Sequence, residues 1–197
     1  LEELADAVVL GLRDYCQKSG IERIVLGLSG GIDSAVAACV AAEAVGAENV
    51  LGLSMPSRFS SQHSMDDAHY TAHALGMDYA SIPIDDHHSS LEDQMAQMLN
   101  QGSQVAQENI QARLRGILVM AHANAQGRMA IATGNKSELA QGYCTLYGDM
   151  AGGYTPLGDV YKMEVYGLAD VFNRRAIQRG QEPPVNESTM TKPPSAE

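Results

Sequence analysis

A short segment rich in glycine and serine holds the residues best suited to chemistry. It consists of Gly27, Leu28, Ser29, Gly30, Gly31, Ile32, Asp33 and Ser34. Gly30 and Gly31 can adopt positive φ and let a ligand approach the backbone closely, and the two serines add hydroxyl donors. A helix that begins here would point its free N–H groups and the positive end of its dipole at the same place. The segment therefore predicts a cradle for an anion such as phosphate.

Asp33 requires an explanation of its own, because a carboxylate repels an anion bound beside it. A cation between the two removes the conflict, and Mg²⁺ is typically held by a few carboxylates together with phosphate oxygens. The segment lacks the lysine that a Walker A loop requires, and it does not match GxGxxG. The alternative interpretation is a glycine-rich turn in which Asp33 and Ser34 cap a helix.

The hydrophobic pattern around this segment predicts the elements that position it. An apolar, β-branched run over 23–28 predicts a buried strand, and an alanine-rich run over 34–45 predicts a buried helix after it. An amphipathic helix precedes them, and strands over 49–55 and 78–84 follow, separated by a helix over 62–75. This β-α-β-α-β spacing predicts an α/β fold, a doubly wound parallel sheet with helices on both faces.

The second half of the chain predicts longer helices and one more strand. The helices cover 88–99, 104–126 and 160–179, and the strand covers 128–133. We expect the helix over 104–126 to face the core through a stripe that consists of Ile110, Leu114, Ile117, Leu118, Ala121 and Ala125. Residues 134–158 contain six glycines and predict a long functional loop. The proline-rich end of the chain predicts irregular structure.

Composition and charge exclude several classes of protein. The chain has 197 residues, 45% of them hydrophobic, which suits one domain with its own core. Its 13 Lys and Arg against 24 Asp and Glu give a net charge of −11, which argues against a nucleic-acid-binding protein. No apolar run is long enough to span a membrane. The three cysteines, Cys16, Cys39 and Cys144, show no metal-binding spacing, so we expect a reducing, cytoplasmic compartment.

The glycine- and serine-rich segment over 27–34, the anion loop, resembles a known family when four further segments are considered with it. They are ENIQARLRG at 108–116, TGNKSE at 133–138, YGDMAGG at 147–153 and TKPPSAE at 191–197. SGGIDS resembles the pyrophosphate loop of the ATP pyrophosphatases that form AMP, a superfamily with the adenine nucleotide alpha hydrolase-like fold. With the four segments, the whole of residues 1–197 resembles NAD synthetases, and in particular the single synthetase domain of the glutamine-dependent type.

This resemblance implies an AMP-forming ligase. The expected reaction is the amidation of deamido-NAD to NAD through an adenylated intermediate, with ammonia as the nitrogen donor and with release of AMP and pyrophosphate. The anion loop would hold ATP, with Thr133, Lys162 and Ser195 as further ATP contacts. Asp33 and Glu138 would hold Mg²⁺, and together with Lys162 they would be the catalytic residues.

Two polar residues of the helix over 104–126 suit a dinucleotide. Asn109 and Arg113 are four positions apart and share one face of that helix. An amide beside a guanidinium fits a ligand that combines a base or carboxamide with phosphate, and an ordinary solvated helix surface is the alternative. The resemblance implies that Asn109, Arg113, Glu138 and Asp149 contact deamido-NAD.

The resemblance also implies partners. NAD synthetases of this kind are expected to form homodimers, and a glutaminase domain would supply ammonia in a longer chain. Because the sequence begins without Met and ends at Glu197, inside a family motif, we expect a C-terminally incomplete piece of such a chain. Two alternatives remain. One is another AMP-forming synthetase or a tRNA-modifying enzyme with the same loop, and the other is a nucleotide-binding module without catalysis.

Overall fold

The structure of the protein is a computed structural model that describes residues 1–99 and 104–193. Within these residues, four strands form one parallel sheet. They are β1 (Ile24–Gly27), β2 (Val50–Ser54), β3 (Asp78–Ser81) and β4 (Met129–Ile131). The order across the sheet is β3-β2-β1-β4, so the chain runs outward from β1 to β3 and then returns to the other side of β1. In open α/β sheets, ligands bind at such a reversal, outside the carboxyl ends of the strands.

Helices cover both faces of the sheet. They are α1 (Glu2–Ser19), α2 (Ile32–Val45), α3 (Gln62–Leu75), α4 (Asp85–Leu99), α5 (Gln104–Gln126), α6 (Lys136–Gln141), α7 (Lys162–Gln178) and α8 (Glu187–Thr191). One face is covered by α2 and α3 with α1 and α7 outside them, and the other face is covered by α5 with α4 beside it. The predicted doubly wound α/β fold is confirmed. None of the helices in the described ranges is long and apolar enough to cross a membrane.

The side chains of β1 alternate between the two faces of the sheet. Ile24 and Leu26 pack in a hydrophobic cluster with α1, α2 and α7. Val25 packs in a second cluster with Val119 and Ala123 of α5. Because helices cover both faces, a polar residue has no solvent to reach from this strand, and the sequence of β1 is apolar throughout.

The face of α5 that meets the sheet differs from the predicted stripe. Several members of that stripe are exposed, namely Ile117, Ala121 and Ala125. Val119 and Ala123 are buried instead. On the same helix, a Cβ atom at Gly116 would lie 2.9 Å from the carbonyl oxygen of Gly148. The predicted stripe was wrong for these three exposed residues, although its member Leu118 packs against the second hydrophobic cluster. The glycine at 116 lets the backbone of a neighbouring loop approach α5 closely, which a hydrophobic period cannot show.

Short helices occur in both regions that the sequence predicts to be irregular. α6 lies within 134–158, and α8 lies in the proline-rich end of the chain. α6 begins with a capping box, in which Asn135 is the N-cap and Glu138 is the reciprocal partner. Such short helices contain too few turns to show a hydrophobic period, which explains why the pattern missed them.

Candidate functional site

The anion loop lies between β1 and α2, at the carboxyl end of the sheet. α2 begins at Ile32, earlier than predicted, and its N-cap Gly31 makes no side-chain capping hydrogen bond. The first N–H groups of α2 are therefore directed out of the helix end, where an anion can accept hydrogen bonds from them. Ile32 itself is buried in the core, so a ligand can contact its backbone and not its side chain.

The two serines of the loop form hydrogen bonds within the loop. The buried Ser34 hydroxyl donates to the carbonyl oxygen of Gly31 (2.9 Å), and the N–H of Ser29 donates to Ser34 Oγ (3.3 Å). Ser29 Oγ accepts a hydrogen bond from the N–H of Gly31 (3.2 Å), and Ser29 is exposed. Ser34 thus holds the loop in shape, whereas Ser29 has a hydroxyl that a ligand can reach.

Gly30 allows the loop to pack against the start of α3. Its φ is +80°, which other residue types rarely adopt. A Cβ atom at this position would lie 2.1 Å from the carbonyl oxygen of Ser64 on α3. Both the backbone conformation and the available space therefore require glycine.

Asp33 connects the loop to distant parts of the chain. Its Oδ1 accepts a hydrogen bond from Asn135 Nδ2 (2.8 Å), and its Oδ2 forms an ion pair with Lys162 Nζ. Lys162 is the first residue of α7, and its N–H donates to Ser137 Oγ (3.0 Å). The structure therefore brings together two of the predicted catalytic residues at the point where the strand order reverses.

Glu138, the third predicted catalytic residue, lies beside the same cluster. Its Oε2 accepts a hydrogen bond from the N–H of Asn135 (3.0 Å). Burial raises the pKa of the Glu138 carboxyl, and the charges of Asp33 and Asp149 raise it further, while the Asn135 N–H and Lys162 act in the opposite direction. Burial and repulsion between neighbouring carboxylates thus disfavour the charged form of Glu138.

The chemistry of Asp33 and Glu138 would suit a small divalent cation that phosphate oxygens also bind. A cation between Asp33 and Glu138 would relieve the unfavourable burial and repulsion that raise the pKa of Glu138. Among the described residues, no group of three or more His, Cys, Asp and Glu is arranged to hold a metal ion. A cation here would therefore need ligand oxygens as well, which is how Mg²⁺ is usually held.

A cavity of about 500 Å³ opens next to this cluster, at the carboxyl ends of β1, β2 and β4. Residues predicted to bind ATP and residues predicted to bind deamido-NAD both contribute to its wall. The first group is represented by Gly27, Leu28, Ser29 and Thr133, and the second by Asn109 and Asp149. Asp33, Glu138 and Lys162 are not among its lining residues. They adjoin it, because Thr133 in the wall lies two residues before Asn135, which hydrogen-bonds both Asp33 and Glu138. Lys162 is in turn paired with Asp33.

Thr145 joins the two predicted dinucleotide residues in the cavity wall. Its hydroxyl donates to Asn109 Oδ1 (2.6 Å), and its N–H donates to Asp149 Oδ1 (2.9 Å). Burial raises the pKa of Asp149, and the N–H groups of Thr145 and Met150 oppose that change. Sequence reasoning missed Thr145, because a threonine in a glycine-containing loop has no distinctive signal.

Arg115 lines the cavity, whereas Arg113 does not belong to the lining residues. Arg113 is exposed, and its Nε donates to the carbonyl oxygen of Leu146 (3.2 Å). Arg115 Nε donates to the carbonyl oxygen of Met55, the residue that follows β2 (3.1 Å), and burial lowers the pKa of this guanidinium. The sequence pattern favoured Arg113 because it placed the buried face of α5 on the wrong side. A contact between Arg113 and deamido-NAD stays a prediction.

The C-terminal region packs against α3 and the anion loop. The buried carboxylate of Asp67 on α3 accepts hydrogen bonds from Asn186 Nδ2 (2.7 Å), Ser188 Oγ (2.9 Å) and Lys192 Nζ (3.0 Å). Thr189 of α8 is also buried and donates to the carbonyl oxygen of Gly30 at 3.5 Å. The predicted ATP contact Ser195 lies outside the described residues.

The raised pKa of Glu138 predicts how its replacement affects stability. Above the raised pKa, the ionised carboxylate opposes folding, and this cost disappears as the pH falls towards the ordinary value of 4.5. Glu138→Gln keeps a capping side chain, so we expect it to increase the free energy of unfolding at pH 7 and to give no increase near pH 4. Urea denaturation at both pH values measures the difference.

Glu164→Gln provides a matched control for this experiment. Glu164 occupies the corresponding capping position of α7, where its Oε2 accepts a hydrogen bond from the N–H of Tyr161 (2.8 Å). We expect no increase in stability for this variant at pH 7. Equal changes for both variants would contradict the assignment of the stability cost to the Asp33–Glu138 cluster.

Comparisons with known proteins agree on one family. A family model described as NAD synthase matches residues 4–197. The glutamine-dependent NAD(+) synthetases of Rhodobacter capsulatus and Thermotoga maritima are 47% and 46% identical to this chain. These alignments include 100% of this chain and 36% and 34% of those proteins. The chain thus spans about a third of the length of the curated relatives it matches.

Comparison with solved structures points to the same family. The glutamine-dependent NAD+ synthetase of Acinetobacter baumannii, in complex with ADP, aligns with a TM-score of 0.92 at 40% identity, over 96% of this chain and 36% of that one. The NMN synthetase of Francisella tularensis aligns with a TM-score of 0.85 at 31% identity, over 99% of this chain and 75% of that one. By sequence and by fold, this chain belongs to the NAD synthase family.

Proposed function

We propose that this chain is an ATP-dependent synthetase unit that amidates deamido-NAD to NAD and releases AMP and pyrophosphate. The observation that carries the proposal is the pairing of Asp33 with Lys162 beside Glu138, next to an anion loop and a cavity. Family membership supports the reaction class, and the ADP in the related Acinetobacter baumannii structure supports nucleotide binding.

The anion loop and α2 would bind the pyrophosphate part of ATP. The N–H groups at the start of α2 suit phosphate oxygens. Ser29, Thr133 and Lys162 would add contacts to ATP, which is supported by their position in or beside the cavity, and Ser195 is a further proposed contact. Mg²⁺, when bound by Asp33 and Glu138, would neutralise charge on the phosphates. Lys162 would stabilise the negative charge that develops on the leaving pyrophosphate.

The cavity wall would position deamido-NAD for two successive displacements. In the first, the nicotinate carboxylate attacks the α-phosphorus of ATP, and the bond to pyrophosphate breaks. In the second, ammonia attacks the carbonyl carbon of this adenylate, AMP leaves, and the nitrogen loses a proton. Asn109 and Asp149 of the wall are proposed contacts, together with Glu138 beside the wall and Arg113 outside it. Holding both substrates in place would supply much of the rate. The reaction needs no covalent intermediate on the protein.

An assay with defined products tests this function. The protein is incubated with ATP, Mg²⁺, ammonium and deamido-NAD, and AMP and NAD are quantified. We expect equal amounts of both products. A parallel reaction with nicotinic acid mononucleotide tests the activity that the name of the related Francisella tularensis protein suggests. AMP formation with the mononucleotide but not with deamido-NAD would contradict the proposed substrate. ATP binding without AMP formation with either compound would favour a nucleotide-binding module without catalysis.

We also propose that the chain forms a homodimer through the outer side of α5. Ile117 (63% exposed) and Met120 lie on that side. Leu146, 63% exposed, lies next to α5, because its carbonyl oxygen accepts the hydrogen bond from Arg113. A two-fold interface between two copies would bury this apolar surface on both.

Replacing Ile117 tests the dimer. A charged Ile117→Asp side chain cannot be buried without a large desolvation cost, so we expect at least a tenfold weaker dimer in sedimentation velocity at micromolar concentration. Ile177→Asp is the matched control, because Ile177 is 60% exposed on α7 and should leave association unchanged. A wild-type monomer, or equal association of both variants, would contradict the proposed interface.

Two further proposals concern the source of ammonia and the location of the protein. The relatives are named glutamine-dependent and are about three times as long as this chain, so we propose that a glutaminase domain supplies ammonia in a full-length protein. Glutamine replacing ammonium in the assay distinguishes the two nitrogen sources. We also propose a cytoplasmic location, since Cys16, Cys39 and Cys144 are free thiols, as is usual in a reducing compartment.

A further inference from the structure

Asn135 is fully buried between the two carboxylates proposed to hold Mg²⁺. Its Nδ2 donates to Asp33 Oδ1 (2.8 Å), and its Oδ1 accepts a hydrogen bond from the N–H of Glu138 (3.0 Å). Its own N–H donates to Glu138 Oε2 (3.0 Å). The side-chain amide of Asn135 therefore contacts the carboxylate of Asp33 and the backbone of Glu138, while the backbone N–H of Asn135 contacts the carboxylate of Glu138.

An amide side chain suits this place for a chemical reason. It carries a donor and an acceptor on one planar group without a charge. The donor Nδ2 binds Asp33, which lies where β1 is followed by α2. The acceptor Oδ1 caps the start of α6, the helix that follows β4. A carboxylate at position 135 would repel Asp33, and a hydroxyl is too short to reach both partners at once.

The hydrogen bonds leave each carboxylate able to bind a cation. An ionised carboxylate has about four lone-pair sites. Asp33 uses one oxygen for Asn135 and the other for Lys162, and Glu138 uses Oε2 for the Asn135 N–H. Both carboxylates therefore keep further lone pairs for a cation. The hydrogen bonds already formed fix the orientation of each carboxylate and so the directions of these lone pairs.

We propose that Asn135 is a positioning residue that orients Asp33 and Glu138 towards each other and thereby sets the affinity for the divalent cation that accompanies ATP. This inference rests on the proposed function. Residues that hydrogen-bond metal ligands typically change metal affinity by about 10- to 100-fold when they are replaced. Asn135 hydrogen-bonds both proposed ligands, the Asp33 carboxylate through its side chain and the Glu138 carboxylate through its backbone N–H.

The variant Asn135→Ser separates the positioning role from the capping role. Serine is a good N-cap, so α6 is expected to form, while the donor to Asp33 is lost. The readout is the binding of Mn²⁺ in the presence of a non-hydrolysable ATP analogue, measured by electron paramagnetic resonance, with circular dichroism to report folding. We expect about a tenfold loss of Mn²⁺ affinity and unchanged binding of the analogue without metal.

Asn186→Ser is the matched control. Asn186 caps α8 and donates its Nδ2 to the buried carboxylate of Asp67, so its local contacts repeat those of Asn135 away from the proposed cation site. We expect this variant to bind Mn²⁺ with wild-type affinity. An equal loss in both variants would mean that capping, and not orientation of the proposed ligands, is responsible, and would overturn the inference.

The remaining outcomes distinguish this inference from the proposed function. Wild-type Mn²⁺ affinity in a folded Asn135→Ser variant would overturn the role of Asn135 and leave the proposed reaction intact. No Mn²⁺ binding by the wild-type protein with the ATP analogue would overturn the metal site itself and the inference with it. Should Asn135→Ser fail to fold, Asn135→Thr, which caps helices and fills more volume, replaces it with the same expected loss.

Discussion

Replacing Asp33 with asparagine is expected to reduce turnover by at least about a thousandfold while the fold is retained. Loss of one group that stabilises charge in a transition state commonly costs about 10²- to 10³-fold, and Asp33 is also proposed to hold the cation. The variant removes the charge that pairs with Lys162 and the ligand that Asn135 orients. The rate of AMP formation at saturating ATP and Mg²⁺ measures the effect.

The stability of the Asp33→Asn variant should change much less than its activity. Asp33 lies at the helix start outside the hydrophobic clusters, and its side chain is 17% exposed, so we expect a change within about 1 kcal/mol in urea denaturation. Asp159→Asn is the control, because Asp159 pairs with Lys136 on the surface and is 93% exposed. It should retain activity. Normal turnover by Asp33→Asn with Mg²⁺ would refute the metal role of Asp33.

Replacing Gly30 with alanine is expected to damage both the loop and the fold. The positive φ and the contact of 2.1 Å between a Cβ atom and the Ser64 carbonyl oxygen cannot be accommodated without moving the loop or α3. We expect a loss of about 3 kcal/mol in the free energy of unfolding, from the left-handed backbone and the overpacking together. ATP affinity should fall at least about tenfold, which is about 1.4 kcal/mol, because the same backbone forms the anion cradle.

Gly76→Ala separates backbone strain from the steric clash. Gly76 has a φ of +71° at the end of α3, but a Cβ atom there would meet nothing within 4 Å. This variant should lose only about 1 kcal/mol of stability and should bind ATP normally in calorimetry. Similar losses for Gly30→Ala and Gly76→Ala would show that the close contact with Ser64 is not decisive.

Much of this protein could be predicted from sequence because its strongest signals are local. The apolar run of β1, the alanine-rich α2 and the glycines between them determine a strand, a helix and a turn within a few consecutive residues. The alternation of such units implies a parallel sheet, since parallel strands need crossover connections. The motifs that resemble NAD synthetases are likewise continuous segments, so the amino-acid sequence by itself was sufficient to identify the family.

The tertiary structure decided which residues meet, because that depends on neighbours that are distant in the chain. The pairing of Asp33 with Lys162 and its hydrogen bond to Asn135 join three separate segments at the sheet reversal. The rotation of α5 placed Arg115 in the cavity wall and Arg113 outside it. No hydrophobic period specifies that rotation. Backbone of the loop that contains Gly148 packs against Gly116, and a larger residue on that face would keep it away.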